Sequence, residues 1–183
     1  MDKPVPIRIK IRPIRHKAAK ARLPGRVKID YPHHLVVPFI RAETLQRLKH
    51  YAASDLGYEL GGVLVGRAGR SSRRHFIEIV DFIPATSGVS RRASFEFTNE
   101  AQQKIHETKE AQFKELQILG WFHTHPGYGI FLSSADQFID ENYFTESFHV
   151  AVVLDPSRPD VEAGVFVWDD RARIRVPFFF PEG

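Results

Sequence analysis

The chain contains no cysteine. Disulfides and thiol catalysis are therefore excluded, and no thiolate is available for a structural zinc finger. Long apolar runs are also missing. No stretch of about 20 apolar residues could span a bilayer, and the amino terminus has no apolar segment of signal-peptide length, so a cytoplasmic protein is the expectation. What is present suits one compact enzyme domain: 183 residues, 43% of them apolar, fall in the ~100 to 200 residue range over which a single core forms.

Acidic residues are scarce in the first thirty positions, which hold ten Lys or Arg against two Asp, a net of +8. The remainder, with 16 basic and 20 acidic residues, is −4. The basic balance thus belongs to an arm over residues 1–30, followed by a domain over residues 31–183. Within the arm, Val5, Ile7, Ile9 and Ile11 alternate with Arg8, Lys10 and Arg12, the period of a half-buried strand, until Pro13 interrupts it. An edge strand added to a protein partner, or packed on its own domain with a solvated basic face, accounts for that pattern. No aromatic interleaving or recognition motif supports nucleic-acid binding.

The chemistry concentrates in His123-Thr124-His125-Pro126, with Ser133 and Asp136 behind it. Leu119-Gly120-Trp121-Phe122-His123 reads as a buried strand. Side chains alternate along a strand, so His123 and His125 point to one face. Asp136 adds a carboxylate oxygen from the next element. A His/His/Asp set suits zinc and leaves a fourth tetrahedral corner for water, the pattern of catalytic rather than structural sites. Each part also has a plainer reading. A His-x-His pair is commonly unrelated to metal, and Ser133-Ser134-Ala135-Asp136 reads as a capping box that needs no chemistry. The two readings are compatible, because a rigid helix start is a good platform from which to aim a ligand.

Gly120-Trp121-Phe122-His123-Thr124-His125-Pro126-Gly127-Tyr128-Gly129, with Phe131-Leu132-Ser133 and Asp136, resembles the JAMM motif of the MPN-domain zinc metalloproteases. Tyr58-Glu59-Leu60-Gly61-Gly62-Val63-Leu64-Val65-Gly66 looks like the segment carrying that family's upstream glutamate, and Val152-Val153-Leu154-Asp155-Pro156 is similar to its strand end. The likeness covers about residues 35 to 177. Thr124, where relatives often have Ser, is a small departure that puts nothing catalytic in doubt. The resemblance implies an α+β, cytidine-deaminase-like sandwich with a mixed central sheet flanked by helices, and one zinc ion on His123, His125 and Asp136. Amide hydrolysis also needs a proton shuttle and an oxyanion donor. Glu59 fits the first as general base, and the Ser133 hydroxyl fits the second, worth ~3 kcal/mol.

The same resemblance implies the partners. The extended tail of a ubiquitin-like modifier would lie in a groove beside residues 126–132, which offer two glycines, Tyr128 and Phe131. The compact single domain, with a short segment between Glu59 and the His pair, looks similar to stand-alone prokaryotic members of the family, which accompany E1-like and E2-like enzymes in modifier conjugation systems, including antiviral ones. Processing of a sulfur-carrier protein and a non-catalytic MPN scaffold are the alternative readings. The complete set of five residues weighs against the scaffold.

Periodicity predicts the remaining elements. A short strand is expected over residues 34–37, a helix over 42–53, and a hairpin of strands 60–66 and 75–83 joined by a Gly/Arg/Ser-rich turn. A polar loop over 84–93, whose Arg91 and Arg92 would line a groove, should lead to a helix from Asn99, capped with Gln102, to about Glu115. Its Ala101, Ile105, Thr108 and Gln112 should share one side. A helix over 134–145 with Phe138 and Ile139 inward, core strands over 148–155 and 163–168, and a last strand from Arg173 to Phe180 complete the reading. Three consecutive phenylalanines exceed what one strand face can bury, which points to a homodimer or partner contact. The seven other histidines lack ligand spacing and take no role.

Overall fold

The computed structural model describes residues 29–71, 74–86, 89–91 and 94–181, of which residues 89–91 and 94 are described by their backbone. The arm strand expected around Val5 to Ile11 and the groove-lining side chains of Arg91 and Arg92 lie outside the described residues. In chain order the elements are β1 (Val37–Ile40), α1 (Ala42–Ala52), β2 (Gly61–Ser71), β3 (Arg74–Pro84), β4 (Val89–Arg91), β5 (Ser94–Glu96) and α2 (Asn99–Gln112). They continue with β6 (Gln117–Thr124), α3 (Ser134–Tyr143), β7 (Val150–Asp155), β8 (Glu162–Asp169) and β9 (Ala172–Val176).

Seven strands form one mixed sheet in the order β1-β3-β2-β6-β7-β8-β9, and β4 pairs with β5 as a separate ribbon. Parallel pairs are β1 with β3 and β6 with β7; the others are antiparallel. The sheet is so curled that the chain beyond β9 returns to β1. Ile40 N–H donates to Phe179 O at 2.8 Å and Phe179 N–H to Pro38 O at 3.0 Å. One face buries Leu45, Leu48 and Ala52 of α1 against Leu64, Ile79, Phe122 and Val152. The opposite face holds Trp121, Val63 and Val153 against Ile105 of α2 and Ile139 of α3. Helices therefore cover both faces of a mixed sheet, the α+β architecture expected. Among the described residues no helix is long and apolar enough to cross a membrane.

The sheet's irregularity matters for the site. Opposite β2, the register of β6 shifts between the pairs Leu64↔Gly120 and Val65↔Ile118, and Gly120 has φ 144°. Leu119 consequently packs on the α1 side while Trp121, two residues on, packs on the α2/α3 side. This bulge re-aims every later side chain of the strand. A Cβ on Gly120 would run into the carbonyl oxygen of Val150 on β7. Gly120→Ala is therefore expected to cost about 3 kcal/mol or more, lowering the thermal midpoint by roughly 6–12 °C. A midpoint within a degree or two of the parent would mean that the bulge relaxes freely.

Several boundaries differ from expectation, each for a reason of pairing. The first strand starts at Val37, not His34, because Leu35 N–H is used in a turn to Pro32 O and the β3 ladder begins at Val37. β2 runs on to Ser71, since β3 supplies backbone partners however polar the side chains are. The supposed loop over 84–93 contains β4. Thr98, not Asn99, caps α2 by accepting Ala101 N–H, while the Gln102 amide donates to Phe97 O. Beyond Ile105 that helix has little to pack on: Thr108 is half-buried, Gln112 is exposed, and the helix ends at Gln112.

Phe138 was expected inward and is instead 62% exposed, because only Ile139 of the pair meets the sheet. α3 ends at Tyr143, and β9 stops at Val176. The phenylalanine run beyond it divides three ways. Phe178 packs on the α1-side core, Phe179 packs on Phe39 at 5.9 Å, and Phe180 is 51% exposed.

Candidate metal centre

The parallel pair β6–β7, joined through α3, places the carboxyl end of β6 beside the amino terminus of α3, where open α/β sheets commonly bind ligands. His123 is the penultimate residue of β6, and His125 follows the strand, held by His125 N–H to Leu154 O at 2.8 Å. Asp136 is at the third position of α3. Ser133 caps the helix, with Asp136 N–H donating to Ser133 Oγ at 3.2 Å and Ser133 N–H to Asp136 Oδ2 at 2.6 Å. The capping box and the candidate ligand set thus share Asp136. The Ser133 hydroxyl oxygen accepts from the helix, and its own O–H has the Asp136 carboxylate beside it as an acceptor.

The three candidate ligand residues converge. His123 Nε2 lies 3.0 Å from His125 Nε2 and 3.3 Å from Asp136 Oδ1, and His125 Nε2 is 3.5 Å from Asp136 Oδ2. Bonds of ~2.0 to 2.1 Å to one tetrahedral ion require donor separations of roughly 3.3 Å, so these atoms fit a zinc-sized cation. All three side chains are buried, and their ligand atoms lie within 4.8 Å of one another. His125 Nδ1–H donates to Gly129 O at 3.2 Å, leaving a lone pair on Nε2 toward the cluster. Glu59 joins them without being part of the set: it is 3% exposed, with Oε1 3.8 Å from His125 Nε2.

Two residues that sequence reasoning gave no role hold this arrangement. The Thr124 hydroxyl, fully buried, accepts Leu60 N–H at 2.8 Å, and Thr124 N–H donates to Leu60 O, tying the Glu59 segment to the end of β6. Thr124→Val is expected to strand that N–H and cost about 1–3 kcal/mol, while Thr124→Ser retains the acceptor. Denaturant titration of the two variants checks this, and equal stabilities would remove the hydroxyl from the account. Asp155, at the end of β7, accepts Gly127 N–H at 3.0 Å and Gly129 N–H at 2.9 Å. Both glycines have φ near +80°, the conformation that turns their amides inward. The residue-126–132 loop therefore presents aromatic rings outward, Phe131 lying 4.7 Å from the His125 ring. Asp155-Pro156 was the one visible signal for this anchor.

The cluster's electrostatics favour a cation. Burial would raise the Asp136 carboxyl, but hydrogen bonds from both histidines, with the charge of His123 and the Ser133 cap, hold it far below the usual carboxylate range. The positive end of α3 acts in the same direction. Burial depresses His125, yet Asp136 and Glu59 outweigh it and raise its affinity for a proton. For His123, fully enclosed, burial wins and the imidazole is pushed toward the neutral form that a metal needs. Burial lifts Glu59 to about 7, with His125 pulling it down and Asp136 pushing it up.

Comparison with known proteins shows the family. Residues 41–146 match the family model described as JAB1/Mov34/MPN/PAD-1 ubiquitin protease, and the chain belongs to that family. It is similar to COP9 signalosome complex subunit 5 of Caenorhabditis elegans, 28% identical over 131 residues, covering 69% of this chain and 34% of that protein. The Yarrowia lipolytica subunit 5 is 28% identical over 166 residues, 84% of this chain and 43% of that one. The chain thus spans less than half the length of these relatives. A Desulfitobacterium hafniense protein solved in solution shares the fold, with a TM-score of 0.62 at 16% identity over 80% of this chain and 94% of its own.

Proposed function

We propose that this chain is a zinc-dependent isopeptidase or peptidase that cleaves after the carboxyl-terminal tail of a ubiquitin-like modifier. It would act in the cytoplasm, within a prokaryotic conjugation system that includes E1-like and E2-like enzymes. The observation that carries this reading is the convergence of His123, His125 and Asp136 at tetrahedral separations with the buried Glu59 carboxylate beside them. A non-catalytic scaffold has no use for such a set.

Bound there, zinc supplies Lewis acidity that brings the pKa of water toward ~7 and polarises the scissile carbonyl. Glu59 takes the proton from the attacking water as the carbon–oxygen bond forms, and returns it to the departing amine as the carbon–nitrogen bond breaks. Ser133 donates its O–H to the oxyanion. The Phe131 ring lies against His125 and, with the exposed Tyr128 of the same loop, suits an extended tail of small residues, which main-chain bonding can hold and bulky side chains would obstruct.

The test is a panel of modifier fusions and isopeptide-linked conjugates whose modifiers end in glycine. Cleavage immediately after that glycine is expected, abolished by a zinc chelator and restored by added zinc. Zinc-loaded protein that leaves the whole panel intact would end the reading.

A further inference from the structure

Behind the metal cluster lies a buried polar group that hydrolysis does not use. Asp140, one turn after Asp136 on α3, is fully enclosed. Its Oδ1 accepts from Trp121 Nε1 at 2.9 Å and from Arg173 Nη2 of β9 at 2.6 Å. The Arg173 side chain is itself 4% exposed, lies over the Trp168 ring at 4.1 Å and donates to the His149 carbonyl. A buried ion pair contributes little net stability, since desolvation offsets its attraction. Its position relative to the ligands is informative. The Trp121 indole stacks on the His123 ring, centroids 4.4 Å apart and planes 16° from parallel, and Phe144 lies nearly parallel to the same indole.

A metal-ligating histidine is normally aimed by a hydrogen bond from its second ring nitrogen. His125 has one, to Gly129 O. Among the described residues His123 Nδ1 has none, although it is buried. The torsion that sets an imidazole's tilt is broad, so something else must hold the ring. The flat face of Trp121 is in position to do so, and Asp140 fixes that indole through its N–H.

We infer that Asp140 and Arg173 are positioning residues that lock the plane of Trp121, and that Trp121 in turn aims His123 Nε2 at the metal. The inference rests on the metal reading above. The test uses the full chain with zinc and cobalt(II) as probes. Asp140→Leu/Arg173→Met removes the ion pair together, so neither charge is left buried alone. Trp121→Phe keeps an aromatic ring and removes the N–H that Asp140 holds, together with part of the indole's stacking area.

Zinc affinity, measured by competition with a chromophoric chelator, is expected to fall about 10- to 100-fold in the double variant and several-fold in Trp121→Phe. The visible bands of bound cobalt(II) should shift in both, a change that loss of stability alone does not produce. Parental affinity and parental cobalt bands in a folded variant would overturn the inference while leaving the metal centre intact. If the double variant does not fold, Trp121→Phe decides by the same two readings. A parental chain that binds neither ion overturns both proposals.

Discussion

Glu59→Gln is expected to lower turnover by roughly 10²- to 10⁴-fold, the usual contribution of a positioned general base, while zinc content stays at the parental level. Both halves follow from the geometry. The Glu59 carboxylate is 3.8 Å from His125 Nε2, close to the reacting volume yet outside the His/His/Asp set, so neutralising it removes a proton acceptor and no ligand. Gln preserves the side chain's shape and removes a carboxylate whose burial is costly, so the variant should be no less stable than the parent.

The pH profile gives a second check on the same residue. A base works deprotonated, so activity rises as pH climbs through its pKa. Burial holds Glu59 at about 7, and a nearby dication can only pull that down, so the acid limb of kcat/KM should fall at or below about pH 7. In Glu59→Gln that limb should disappear. Turnover equal to the parent, or an unchanged acid limb, would remove Glu59 from the mechanism; lost zinc would make it a ligand.

His125→Ala should instead lose the metal and all activity with it. One of three protein ligands goes, so the loss should exceed the roughly 100-fold upper end typical of changes to the groups around a ligand. Because the loop and strand are held through the His125 N–H to Leu154 O and the glycine amides to Asp155, the backbone should keep its course. Zinc content after dialysis, read with far-ultraviolet circular dichroism, tests this, and stoichiometric zinc in a folded variant would contradict the ligand assignment. Asp136→Ala is a less clean comparison. It also dismantles the capping box of α3 and should cost a further ~1 kcal/mol of stability.

The His/His/Asp cluster was largely legible in the chain because its parts are close in sequence. Two histidines two positions apart on an apolar strand, and an aspartate at the third position after a serine cap, are local patterns. Glu59 was readable only through the likeness of its segment, since some sixty residues separate it from His123 and no periodicity links them. Asp155, Asp140 and Arg173 went without roles for the same reason. Their contacts depend on β7 lying beside β6, and on α3 and β9 bringing Asp140 and Arg173 together behind Trp121. Phe138 was misplaced because adjacent helical positions differ by about 100°, and only packing decides which of two neighbouring apolar residues meets the sheet.

The amino-acid sequence by itself determined which groups can bind a cation, where the helix that carries Asp136 begins, and which segments alternate or repeat as strands and helices. Those are properties of side-chain chemistry and of a few neighbouring residues. Only the tertiary structure decided which face of the sheet receives His123, because the bulge at Gly120 arises where β6 pairs with β2. It likewise decided that Glu59 is drawn beside His123, His125 and Asp136 by the Thr124 hydroxyl, and that Phe179 closes the sheet onto β1. Each of these depends on backbone hydrogen bonds between strands far apart in the chain, which form cooperatively and leave no mark in local periodicity.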